Sequence, residues 1–371
     1  MHLRRCAARS QHVVDPRFFE EANLRRVAKW FYVEELTKRF IRERLQEESG
    51  QRVEIRNIDT MLLKARRQGI VVIDFPEKHS PQRLLEDQLK DKFDHLQRVI
   101  VIPTKDGQKY SELLMRWGEA AAEYFEELVS ESKELHVGIS GGETLLSFAN
   151  AVTEFPRKQV HIHTAALIGR GRLPDKASHV DPLVNATILW TKCGRVPGHC
   201  HYATVPPYDA LMREDIAAEL HDLSERQPIR EVILDMNKIN VAFAGLGLAK
   251  ATAPDPERLN QLTMTGLLEP MITPDTLAKE GAMGDLAYCL FDKNGKGRKE
   301  WEFFLTAGYR DPERRGIEFY RKMVADKREK KKVVVIAGSL KQEAIRAALN
   351  AQLFNVWITD QDAAQWVLEN A

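Results

Sequence analysis

Several short segments of this 371-residue chain run from apolar residues into small ones and then into a polar group, a pattern that can bring backbone N–H groups or a charge to a ligand. Residues 137–144 read Val-Gly-Ile-Ser-Gly-Gly-Glu-Thr, a strand closing on Gly141 and Gly142 just ahead of a helix opened by Glu143 and Thr144. The glycines expose N–H groups, and a helix dipole behind them attracts an oxyanion. This is neither the spaced-glycine dinucleotide fingerprint nor a Walker loop. Glu143 would repel a phosphate there, yet it suits sugar hydroxyls as an acceptor. Residues 244–250 (Ala-Gly-Leu-Gly-Leu-Ala-Lys) offer Gly247 and Lys250 in a small-residue loop that lets a ligand or a second backbone come close. In residues 337–341, Lys341 falls near a helix N-terminus, where a cation is misplaced unless an anion accompanies it. Lys341 is therefore the candidate contact for a phosphate or carboxylate. Residues 280–285 form a glycine-flanked acidic pair, in which Asp285 either accepts from ligand hydroxyls or holds its own turn. Each segment also has a plainer reading, because tight strand-to-helix turns use the same glycines and most lysines reach solvent.

Metal and nucleophile chemistry are less well served. Cys193, His199, Cys200 and His201, with His161 and His163 upstream, carry metal-ligating atoms. They lack paired CxxC spacing, and adjacent His-Cys-His side chains converge poorly, so no metal site and no cofactor is expected. There is no HExxH and no nucleophile elbow. An acid–base site needs neither, which leaves enzymatic chemistry open.

The elements that must position these residues alternate. Strand-like runs occur at 99–102, 135–139, 161–166, 240–246, 333–337 and 356–359, and helical periods at 110–130, 145–152 and 342–350. Short apolar strands alternating with helices predict an α/β fold, a doubly wound parallel sheet that binds ligands beyond the C-terminal ends of its strands.

The first 78 residues differ. Leu24, Val27, Ala28, Phe31 and Tyr32 mark one apolar helix face, Thr37 is a fit N-cap for a second helix with Phe40, Ile41 and Leu45 inward, and Ile55, Ile58, Leu62 and Ala65 mark a third. Gly69 then ends the third helix, and residues 70–75 form a short strand before Pro76. Three helices and a strand make a winged helix-turn-helix. Its third helix would present Arg56, Asn57, Thr60, Lys64 and Arg67 to phosphates and base edges. Charge agrees: residues 1–78 hold 17 Lys+Arg against 12 Asp+Glu, whereas the remainder holds 38 against 42. A small basic head on a mildly acidic body fits a polyanion-binding module fused to something else.

With 43% hydrophobic residues the chain can offset the entropy of ordering, which excludes a disordered protein. Four scattered cysteines make no disulfide framework. No apolar run reaches the roughly 18 residues of a membrane span, and the N-terminus lacks a signal-peptide core. A cytosolic protein with no membrane partner is expected.

Taken in order and separation, these segments resemble the SorC family of sugar-responsive bacterial transcription regulators, over about residues 24–369. The likeness rests on residues 30–37 (Trp-Phe-Tyr-Val-Glu-Glu-Leu-Thr) and 58–71 in the head. In the body it rests on the glycine loop 138–144, Gly245-Leu246-Gly247, residues 281–285, residues 337–341 and Ile358-Thr359-Asp360. The resemblance implies a DNA-binding head (residues 1–78, with Thr37 among its contacts) and a sugar-binding effector and oligomerisation domain (79–371). The latter would be similar in fold to sugar-phosphate isomerases but act as a sensor. It also implies operator DNA, a sugar or sugar-phosphate effector, and a homodimer or homotetramer. Gly141, Gly142, Glu143 and Thr144 match a phosphate loop that usually reads Gly-Gly-Thr-Thr. Asp285 matches an acidic effector position, and Lys341 matches a lysine closing a glycine-rich element in which Ser339 stands for one glycine. The third helix departs from the family: Asp59 would repel phosphate, Thr60 replaces a contact, and the preceding turn reads longer, through 46–53. An isomerase- or hydrolase-like enzyme using Glu143 or Asp285 as base, and an adaptor whose head no longer reads DNA, are the rival functions.

Overall fold

The computed structural model describes residues 16–34, 36–71, 80–105, 107–153, 160–168, 181–193, 213–248 and 274–371. Cys6, His199, Cys200, His201, Lys250 and residues 72–75 of the strand expected at 70–75 lie outside them. The chain divides into two compact units, Met1–Lys78 and His79–Ala371.

In the first unit a 3-10 turn, Pro16–Phe19, precedes α1 (Glu21–Tyr32), α2 (Lys38–Ser49) and α3 (Ile55–Arg67). Thr37 caps α2 as expected, its Oγ1 accepting from Phe40 N at 3.3 Å. Leu24, Val27 and Trp30 of α1, Ile41 and Leu45 of α2, and Ile58, Met61, Leu62 and Ala65 of α3 fill one core. Two residues read as inward are not. Phe40 is 60% exposed, because α2 packs by the narrow stripe of Ile41 and Leu45, about 100° around the helix from it. Ile55 is 43% exposed, because the core stripe of α3 starts one turn later, at Ile58, and takes in Met61. The expected long turn at 46–53 is also corrected: α2 continues to Ser49, so only residues 50–54 connect it to α3. At the far end, Ile70 and Val71 both donate their N–H to Ala65 O, closing α3 rather than beginning a strand.

The second unit is built on an eight-stranded sheet: β1 (Arg98–Ile102), β2 (Glu134–Ile139), β3 (His161–Ala166), β4 (Val241–Leu248), β5 (Ala282–Leu286), β6 (Cys289–Asp292), β7 (Lys332–Ile336) and β8 (Val356–Asp360). Six strands run parallel in the order β1-β8-β7-β4-β2-β3. Helices cover both faces, the first of them being α4 (Pro81–Lys92). On one, α5 (Tyr110–Glu131), α6 (Glu143–Ala151) and α7 (Pro182–Lys192) bury Trp117, Phe125, Phe148 and Leu189 against Val137, Ile139, Phe243 and Ile336. On the other, Ala344, Ile345, Ala348 and Ala364 from the last two helices meet Ala242, Val333, Val335 and Trp357.

Among the elements the sequence reading missed is the hairpin of β5 and β6. Residues 282–286, expected as an acidic turn, form β5, which pairs antiparallel with the extension of β4 and with β6. Short glycine-containing strands carry little alternation, and the edge that joins this hairpin to the sheet belongs to β4, distant in sequence. Among the described residues no helix is long and apolar enough to cross a membrane.

Candidate functional site

β2, β4 and β7 are neighbours at the centre of the sheet, so the segments that follow them converge beyond its C-terminal edge. The helix after β2 packs on one face and the helix after β7 on the other. A crevice opens where helices leave a sheet in opposite directions.

Ser140, which follows β2 directly, is buried and ties the crevice together. Its N–H donates to Phe243 O, and its Oγ accepts from Gly245 N at 3.1 Å, joining β2 to β4. Its carbonyl accepts from Asn185 Nδ2 at 3.1 Å, bringing in α7. Gly142 takes φ 103°, a conformation that residues with a Cβ avoid, and this aims the start of α6 over the strand ends. Glu143 is exposed, whereas Thr144 faces the core.

Asp285 lies across from Gly247 in the β4–β5 ladder, and it is almost fully buried. A Cβ on residue 247 would stand 1.9 Å from Asp285 Oδ2, so only glycine leaves room for the carboxylate. Asp285 Oδ1 accepts from Tyr288 N at 2.9 Å across the two-residue turn between β5 and β6. The two readings of Asp285 therefore divide between its oxygens: one holds its own turn and the other lies over Gly247. Burial pushes its pKa up to about 6, an effect moderated by the Tyr288 N–H and by the charge of Lys341. Burial also lowers the pKa of half-buried Lys341, opposed by the charges of Asp285 and then Glu143. Burial raises the Tyr288 phenol, with Asp285 and Asp181 adding to the effect. These mutual fields group Glu143, Asp181, Asp285, Tyr288 and Lys341 in one neighbourhood, where carboxylates exceed cations among the described residues.

The loop carrying Lys341 is held under strain. Leu340 adopts φ 83°, unfavourable for a residue with a side chain, while Ser339 donates its N–H to Asp360 Oδ2 at 2.7 Å and its Oγ–H to Oδ1 of the same carboxylate. Asp360 is buried and also accepts from Ala363 N at 2.9 Å, so one side chain caps the last helix and anchors the lysine loop.

The structure thus brings together Gly141, Gly142, Glu143, Gly247, Asp285 and Lys341. Thr144 stands behind them, and Lys250 lies outside the described residues. Ser140, Asp181, Asn185, Tyr288 and Asp360 were not anticipated. Asp360 was legible only as part of a motif, and α7 follows a stretch whose composition gives no periodicity. Asn185 is completely buried, and its Oδ1 has no hydrogen-bond partner among the described residues.

In the head, Arg56, Thr60, Lys64 and Arg67 stand on the exposed face of α3. Arg56 Nε is 2.7 Å from Glu54 Oε2, and Lys64 Nζ sits 4.3 Å from the centroid of the Phe19 ring. Asn57 is partly committed elsewhere, because its Oδ1 accepts from Glu54 N at 2.9 Å in the capping box that opens α3. Thr60 Oγ1 donates to Arg56 O. Asp59, the residue expected to repel phosphate, lies 2.5 Å from Lys38 Nζ, so the two charges offset each other.

Comparison with known proteins agrees with this architecture. Residues 79–302 and 321–369 match the family described as "Putative sugar-binding domain". The full-length sorbitol operon regulator SorC from Klebsiella pneumoniae superposes with a TM-score of 0.62 at 20% identity, covering 93% of this chain and 97% of that one. A DeoR family transcriptional regulator from Listeria monocytogenes gives 0.57 at 24% identity, over 78% of this chain and 100% of the other. A transcriptional regulator from Streptococcus pneumoniae gives 0.57 at 20%, over 78% and 97%. Because the family match takes in most of the chain and contains Gly141 to Thr144, Gly247, Asp285 and Lys341, the protein belongs to the sugar-binding domain family, on the fold shared with SorC-type regulators.

Proposed function

We propose that this chain is a cytosolic transcription regulator whose affinity for double-stranded operator DNA is set by a sugar held over the ends of β2, β4 and β7. It acts as a sensor rather than an enzyme. The observation that carries the reading is the grouping of Asp285, Lys341 and Glu143 beside the Gly141-Gly142 turn, inside the residues that match the sugar-binding family. Carboxylates accept from vicinal hydroxyls, a lysine donates to them, and exposed N–H groups at a helix start complete a polyol site. With carboxylates outnumbering Lys341 among the described residues, the charge balance favours an unphosphorylated sugar or polyol over a sugar phosphate.

On the DNA side, α3 enters the major groove with Arg56, Lys64 and Arg67, and Thr37 at the start of α2 meets the backbone. Operators of this kind are read by symmetric pairs, so a homodimer or homotetramer is the binding species. The sugar acts only through its different affinities for the DNA-competent and DNA-incompetent assemblies.

The test uses the full chain. A thermal-shift screen of neutral sugars, polyols and sugar phosphates should raise the unfolding midpoint with one neutral compound, since a ligand specific to the folded state stabilises by mass action. Adding that compound should change affinity for a selected genomic fragment at least tenfold. Conversion of a sugar phosphate to product, or DNA affinity insensitive to every binder, would overturn the proposal.

A further inference from the structure

β2 and β3 run parallel, with Glu134 opposite His161 and His136 opposite His163. Side chains two apart on a strand share a face, so this register gathers an acid and imidazoles on one side of the sheet. They lie where β2 and β3 begin, at the end of the sheet away from the sugar crevice. The His136 and His163 rings stack at 4.3 Å between centroids and 4° between planes. Both Nε2 atoms point at one oxygen, Glu134 Oε1, at 3.1 and 3.3 Å. The ligating atoms of the three residues all lie within 4.8 Å of one another.

Those spacings have a chemical meaning. Ligand atoms about 2.1 Å from a common ion stand roughly 3.0 Å apart in an octahedron and 3.4 Å apart in a tetrahedron. The two nitrogen–oxygen separations fall within this interval. An imidazole binds a metal in its own ring plane, so an ion enters when the two parallel rings turn about their side-chain torsions until both Nε2 lone pairs meet it, with a small shift of the exposed Glu134 side chain. Asn240 accepts the His136 backbone N–H through its Oδ1 at 3.0 Å, which fixes the strand that carries two of the three groups. The imidazoles are about a quarter exposed and the carboxylate more than half, so an ion can reach the site from solvent.

We propose that Glu134, His136 and His163 bind a divalent transition-metal ion of borderline softness, Zn²⁺ or an equivalent, with solvent completing its coordination. Two imidazoles and one carboxylate favour such ions over Mg²⁺ or Ca²⁺, which take oxygen ligands. The ion ties β3, the edge strand, to β2. The sequence conceals the set because residues 136 and 163 meet only through strand register.

The experiment is a titration of tag-free, chelator-stripped full-length protein with Co²⁺, followed by its visible ligand-field bands, with Zn²⁺ as competitor. One Co²⁺ should bind per chain at micromolar concentration. His136→Ala and His163→Ala should each weaken it at least tenfold, and Glu134→Gln should weaken it while shifting the bands. Zn²⁺ should raise the unfolding midpoint of the wild type and not that of the His136→Ala/His163→Ala double variant. Equal midpoints in chelator and unchanged circular dichroism establish that the variants remain folded. His163→Asn, a smaller change, replaces His163→Ala if that variant fails this check. Undiminished Co²⁺ affinity in the double variant, or no binding to the wild type below millimolar Co²⁺, would overturn the assignment.

Discussion

On α3 of the head, Arg56, Lys64 and Arg67 stand in water, and the ion pairs around them, such as Arg56 with Glu54 and Lys38 with Asp59, are largely open to solvent, no side chain in them being less than 41% exposed. In the body, Asp285 is buried and Lys341 half-buried, and burial is the largest influence on the pKa of each. The same residue types therefore do different work. Solvated charges attract a polyanion at long range, weakly and with strong dependence on salt. Desolvated charges are costly until partnered, and a ligand that supplies the missing hydrogen bonds recovers that cost. The head is suited to the shape and charge of a duplex, and the crevice to the hydroxyl pattern of a small molecule.

The largest expected effect that would sharpen this contrast concerns Asp285. Its pKa in the folded protein is about 6, above the unfolded value of about 4. The folded state therefore binds more protons than the unfolded state between these values. The contribution of Asp285 to stability is full below pH 4 and is lost as pH rises through 6. Asp285→Asn keeps an acceptor for Tyr288 N and removes the titration. In urea unfolding, the wild type should lose about 3 kcal/mol relative to this variant between pH 4 and pH 7. Parallel stability curves for the two proteins would show that the carboxyl is not desolvated as described.

Next in size is Lys341→Ala. Losing a charged donor should weaken the sugar identified by thermal shift by about 2 kcal/mol, roughly thirtyfold. DNA affinity without sugar should stay at the wild-type value. An unchanged sugar response would move the effector away from this crevice.

The smallest effect belongs to the head, where water screens each charge. Asp59→Asn releases Lys38 from its 2.5 Å ion pair. It should tighten DNA binding by about two- to fivefold at low salt and steepen the salt dependence by about one phosphate equivalent. A loss of affinity instead would mean that the Lys38–Asp59 pair orders the reading surface rather than masking it.

Legibility followed the range over which each feature is decided. The helices of the head and the parallel strands follow from local periodicity, which is why Thr37 as a cap and Ile58, Leu62 and Ala65 as core could be read directly. The errors at Phe40 and Ile55 have one origin: periodicity places a residue near a face but not within the reach of the neighbouring helix. β5 and β6 escaped because they are short, and the β4 edge that holds their hairpin to the sheet is about forty residues away. Within the site, Gly141, Gly142, Asp285 and Lys341 could be chosen for their chemistry. Asn185 and Asp181 could not, because nothing local distinguishes them from surface polar residues.

By itself the sequence determined the α/β alternation, the basic head and the small-residue loops at strand ends, all consequences of side-chain volume, charge and backbone freedom over a few residues. Tertiary structure alone decided which loops share a crevice, that Asp285 lies over Gly247 with a raised pKa, and that Glu134, His136 and His163 meet. Strand order and register set those contacts, and desolvation, which shifts the pKa values, exists only once the chain is packed.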